Sequence, residues 1–190
     1  MALQDVLYNA VDSLQKQRIV NVSLDTITTV EALDGLIRKS AIASACVSIA
    51  TAWLPGVDAT VAAAVGFALA YNMFYRINRT LGLKTSKIIL RSLAAAIVTN
   101  VATCLIGSIA VATISSFISG LGAGVATIVG AAMSYALMIV SGIIYLKTLR
   151  LFLKRGVALS NATAEELAKK VADNMDVKSL LKEAQASYQK

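Results

Sequence analysis

Three observations predict an all-α integral membrane protein of four transmembrane helices, arranged as two hairpins between amphipathic helices at both ends. The first is the run from Ser92 to Leu146, 55 residues without one charged side chain, bounded by Arg91 and Lys147. A hydrocarbon core about 30 Å thick is crossed by roughly 20 apolar residues of helix, so the run suffices for two crossings and a turn. The second is composition: 57% of residues are hydrophobic, only 15% are charged, and the mean hydropathy is +0.69. Soluble domains hold nearer 25% charge, and 190 residues are too few to cover such a segment with a soluble body. The third is where the charges fall. Of 18 Lys and Arg, 9 lie beyond Leu146 and 5 lie between Arg76 and Arg91, as basic loops flank membrane spans.

That clustering assigns the net charge of +7 to membrane flanks and not to nucleic acid. Histidine is absent, which removes the commonest general base and metal ligand. Cys46 and Cys104 stand singly in apolar helices, without a paired thiol for zinc or redox work, and read as buried structural thiols. No metal or cofactor site is expected. The first 39 residues lack the apolar core of a cleavable signal.

Residues 1–28 form an N-terminal amphipathic helix and linker. Leu3, Leu7, Ala10 and Leu14 share one face of a helix from Ala2 to Arg18, with Val6 and Val11 beside them. Gln4, Asp5, Asp12, Gln15 and Lys16 lie opposite. The apolar face suits the rest of the chain, a sister subunit or the membrane surface. Charges of both signs favour a protein partner over lipid.

Residues 29–155 form the membrane domain, with spans at about 37–54, 57–77, 92–114 and 121–146. Thr28 through Glu31 reads as a capping box, opening a helix that runs through Arg38 and Lys39 into the first span. Ser40 to Leu54 gives only 15 uncharged residues, about 22 Å of helix. The span is therefore either extended by snorkelling Arg38 and Lys39 or part of a re-entrant hairpin. Leu54-Pro55-Gly56 ends it. Asp58 opens the next helix, as a cap on its free N–H groups, the alternative being an ion or proton site. A basic connection turning at Gly82 leads to the third span, and Ser115 to Gly120 is an uncharged turn before the fourth.

Lys and Arg are absent from the Pro55 and Ser115–Gly120 turns and crowd the opposite side. The positive-inside rule then places both termini in the cytoplasm. Arg76, Arg79, Lys84, Lys87, Arg150, Lys154 and Arg155 are the expected anionic-lipid contacts. Trp53 falls at the outer interface, and Tyr71, Tyr75 and Tyr145 at the inner one. Residues 156–190 form a C-terminal amphipathic tail. In it Thr163 to Glu166 is a second capping box, and a further helix starts near Asp176.

Small residues recur every fourth position on three spans: Ala62, Gly66 and Ala70; then Ala95, Thr99, Thr103 and Gly107; then Gly122, Ala126, Gly130 and Ser134. Such ridges let helices approach closely in lipid. Three of them exceed what one four-helix bundle needs, so a homo-oligomer is expected, and a Ser/Thr-lined pore is the sharper version. Asn72 and Asn100 would join Asp58 along a polar path, or simply hydrogen-bond across helices. Gly120 to Gly124 is no dinucleotide loop, because no strand precedes it. The sequons at Asn21, Asn78 and Asn161 fall on the cytoplasmic side and read as chance matches.

Leu54-Pro55-Gly56-Val57-Asp58, the apolar helix closing on Tyr71-Asn72-Met73 and the basic turn with Gly82 resemble a bacterial family of hydrophobic domains of unknown function (DUF697-like), often fused behind Era-like GTPase domains. The resemblance covers about residues 39–155. It implies membrane association, with a GTPase acting in trans because none is present here, and brings no catalytic residue. The expected function is a non-enzymatic, self-associating scaffold or adaptor that presents its cytoplasmic amphipathic helices to partners. An oligomeric channel or toxin-like pore is the alternative.

Overall fold

A computed structural model describes residues 3–16, 26–52, 59–118, 123–155 and 161–173. They form six helices: α1 (Leu3–Lys16), α2 (Thr26–Ala52), α3 (Ala59–Thr80), α4 (Lys87–Ile118), α5 (Ala123–Arg155) and α6 (Asn161–Asp173), with no strand among the described residues. α5 is the central helix, touching all the others. Its 33 residues rise about 50 Å, and the 32 of α4 about 48 Å. These two helices are long and apolar enough to cross a membrane.

α2 lies antiparallel to α5. A Cβ on Gly142 would meet Ile37, and one on Gly130 would meet Ser48, so climbing α2 descends α5. As predicted, α2 runs unbroken through Arg38 and Lys39; its Asp34 carboxylate accepts from Arg38 Nε at 3.0 Å, one turn away.

The turn after α3 is built as its sequence demands. Leu83 N–H donates to Asn78 O (2.8 Å) and Gly82 N–H to Arg79 O (3.2 Å), while Gly82 takes a φ of 67°. This is a Schellman closure, whose left-handed position favours glycine. Ser86 then caps α4, its Oγ accepting from Ile89 N–H at 3.2 Å.

The bundle has two dissimilar ends. At the end holding this turn, Leu7 and Val11 of α1, Leu33 and Ile37 of α2, Phe74 and Ile77 of α3, Leu90 of α4, Tyr145 and Phe152 of α5, and Ala164 and Ala168 of α6 share a closed core. α1 packs on α2 and α5, and α6 on α4 and α5. Exposed side chains at this end include the charged Lys39, Arg76, Arg79, Lys84, Lys87, Arg91 and Arg150, with Tyr75 and Ile88 among them. The Arg91 guanidinium sits 6.0 Å over the Tyr71 ring. Towards the other end, exposed described residues carry no charge; Ile42, Cys46 and Ile49 on α2, Ala64 and Ala68 on α3, and Thr99 and Cys104 on α4 are examples.

Several expectations are corrected. α2 begins at Thr26 and α6 at Asn161, so Thr28 and Thr163 stand inside their helices and are not the caps. α4 and α5 reach beyond their predicted spans at both described basic ends, because the shared core rewards continued helix below the apolar run. Tyr145 is wholly buried, not interfacial. Cys46 and Cys104 are exposed, since each lies on the outward side of a helix whose inner side is already packed. Ser115 to Ile118, expected as turn, continue α4, since no Gly or Pro interrupts the helix before Gly120. Trp53, Pro55, Asp58, the Ser119–Gly120 remainder of that turn and the helix expected near Asp176 lie outside the described residues.

Candidate functional site

A cleft of about 530 Å³ opens between α2, α3, α4 and α5 at the uncharged end. Its walls are Ser44, Val47 and Ser48 of α2; Val65, Gly66, Phe67 and Leu69 of α3; Ala95, Val98, Thr99, Ala102 and Thr103 of α4; and Ser134 and Leu137 of α5. None of the described lining side chains is ionisable. Five hydroxyls face an otherwise apolar space, and small residues make the room: a Cβ on Gly66 would touch nothing within 4 Å. Thr103 Oγ1 donates to Thr99 O at 2.8 Å. A hydroxyl turned back on its own helix has spent its proton and keeps only acceptor lone pairs. The cleft therefore suits a neutral, mostly apolar occupant and offers no pair of groups for acid–base work. Among the described residues no cluster of His, Cys, Asp or Glu is placed to hold a metal.

Beneath it, a polar network ties α3 and the turn after it to α5. Tyr145 Oη donates to Asn78 Oδ1 at 2.7 Å, and Asn78 Nδ2 donates to Thr85 Oγ1 at 3.1 Å. The Tyr145 ring stacks parallel on Phe74, centroids 4.0 Å apart. One helical turn away, Ser141 Oγ is buried with no hydrogen-bond partner among the described residues. A smaller groove of about 260 Å³ lies between α1 and α2, lined by Gln4, Asp5, Tyr8, Ile27, Val30 and Glu31.

The three small-residue ridges turn out to meet one another. Gly66, then Ala95, Thr99 and Thr103, then Ser134, one to three from each ridge, line the same cleft. Ala70 is fully buried, and Gly130 lies against Ser48. Ala62, Gly107 and Ala126 are helical, with side chains outside the described set, and Gly122 lies outside it altogether. Of the polar path, Asp58 lies outside the described residues, Asn72 is exposed on α3 and Asn100 is half-buried on α4, and neither asparagine is among the described cleft residues. Of the basic residues, Arg76, Arg79, Lys84, Lys87 and Arg150 are exposed at the charged end, while the side chains of Lys154 and Arg155 are outside the described set. Ser44 and Ser48 were missed by sequence reasoning. The signal was present, since Ser40, Ser44 and Ser48 repeat the same four-residue period on α2.

No protein-family model, curated protein or solved structure matches the chain.

Proposed function

We propose that the protein is a non-enzymatic, self-associating scaffold or adaptor of a bacterial inner membrane, with four spans, both termini cytoplasmic, and a GTPase partner acting in trans. The observation that carries this reading is the contrast between the two apolar helices. α5 is apolar and 72% buried over Gly130–Phe152, as any core helix is, whereas α4 is apolar over Lys87–Cys104 with only 28% buried. Past Arg91 the exposed positions of that stretch, Ala95, Thr99, Thr103 and Cys104, are uncharged and mostly small, a surface ordinary in lipid or against another copy. The docked α1 and α6 supply the adaptor platform. Their apolar sides are used within the chain, so what they present is a folded surface carrying Asp5, Glu165, Glu166, Lys169 and Lys170. The exposed Arg76, Arg79, Lys84, Lys87 and Arg150 sit where anionic headgroups would meet them, with Lys154 and Arg155 adjoining in sequence.

Copper-phenanthroline oxidation in native membranes tests self-association through α4. Cys104 on its open side gives a disulfide-linked dimer that disappears in Cys104→Ala; a chain that stays monomeric at every oxidant concentration refutes it. The hydroxyl-lined cleft favours a second reading, the oligomeric channel or toxin-like pore. Conductance in reconstituted bilayers that changes in Thr99→Leu or Asp58→Asn would establish that reading in place of the scaffold.

A further inference from the structure

We infer that the cleft walled by α2, α3, α4 and α5 is a binding site for one hydrocarbon chain of a bilayer glycerolipid. The inference rests on the membrane reading above, because it takes the uncharged end to lie in lipid. Size decides among the possible occupants. The lining of α4 from Ala95 to Thr103 rises about 12 Å along the helix axis, the direction in which the chains of a bilayer also run. By capacity, an apolar cavity of about 150 Å³ holds one benzene ring, and this cleft in proportion takes roughly 20 non-hydrogen atoms. That is one long acyl chain and far less than a whole two-chain lipid.

Chemistry separates the chain from a water column. The walls are mostly Val, Leu, Phe, Ala and Gly, no lining group carries charge, and the Thr103 hydroxyl is satisfied by its own helix. The hydroxyls can hold single waters, but Val47, Val65, Phe67, Leu69, Val98 and Leu137 offer a water column nothing, whereas a hydrocarbon chain packs on them. Entry is from the side: Ala95, Thr99 and Thr103 are exposed on α4 as well as lining the cleft, so an acyl chain in the bilayer reaches it without crossing a polar surface.

The probe is a phosphatidylethanolamine carrying a diazirine partway along one acyl chain, mixed into nanodiscs holding the full chain. After irradiation, labelled peptides are mapped by mass spectrometry. We expect adducts on the cleft walls around Gly66 and Thr99 as well as on the outward residue Ile42. Gly66→Leu fills open space, so it should cut cleft labelling about fivefold or more while leaving Ile42 labelling unchanged, as expected when a side chain fills a binding pocket; Gly66→Ala should cut it less. A circular dichroism spectrum and elution volume like those of the unsubstituted protein guard against misfolding. Labelling confined to outward faces, or cleft labelling indifferent to Gly66→Leu, overturns the inference. Retention of the protein in membranes washed with alkaline carbonate is read separately. Loss at that step defeats the membrane reading itself, while retention without cleft labelling defeats only the lipid site.

Discussion

Replacing Tyr145 by Phe isolates one hydrogen bond in the packed end of the bundle. The ring and its parallel stack on Phe74, 4.0 Å between centroids, survive the change, so no cavity larger than an oxygen atom forms. What is lost is the donor that reaches Asn78 Oδ1 at 2.7 Å. Asn78 is 4% exposed, and its amide nitrogen remains held by Thr85, so the side chain cannot swing out to find water. Its carbonyl oxygen is left buried and unmatched, a situation that costs about 1–3 kcal/mol. The α3–α5 clamp and the Gly82 turn should loosen together. The assay is reversible unfolding of the detergent-solubilised protein by denaturant, followed by helical circular dichroism. Asn78→Leu and the double variant complete a cycle, in which the double variant should be less destabilised than the two singles together, by about 1 kcal/mol. Destabilisation by Tyr145→Phe of less than about 0.3 kcal/mol would refute the reasoning, since even exposed hydrogen bonds contribute more.

Four further outcomes follow from the same packing. Gly142→Val should destabilise by about 1–3 kcal/mol, because even its Cβ would stand 3.1 Å from buried Ile37; Gly66→Ala, in open space, should raise stability by up to about 1 kcal/mol through helix propensity, and the same unfolding assay ranks them. Leu7→Ala should cost about 2–5 kcal/mol and release α1, seen as faster proteolysis near the N-terminus without loss from the membrane. Ser141→Ala deletes a buried hydroxyl that has no partner, so its unfolding midpoint should equal or exceed the original. Cys46 and Cys104 are exposed at the uncharged end, and in intact vesicles they should react with a membrane-permeant maleimide but not a charged one; labelling of Cys104 by the charged reagent would place α4 in water.

The sequence by itself determined helix and the division into an apolar and a basic end. Those follow from local chemistry: an unbroken apolar run between Arg91 and Lys147 has few ways to satisfy its backbone except as helix, and Gly82 marks a turn because a left-handed residue costs glycine nothing. It also carried the four-residue period of small side chains. Only tertiary structure decided which way those ridges point. Period tells that Gly66, Thr99, Thr103 and Ser134 each lie on some face of a helix, but not that the faces converge, since that depends on how each helix is rotated about its axis by all its neighbours at once. The same holds for Tyr145. Sixty-seven residues separate it from Asn78, and a tyrosine near the end of an apolar run reads equally as an interfacial ring or a buried clamp. Cys46 and Cys104 went the opposite way for the same reason, being apolar residues on sides that the bundle leaves uncovered.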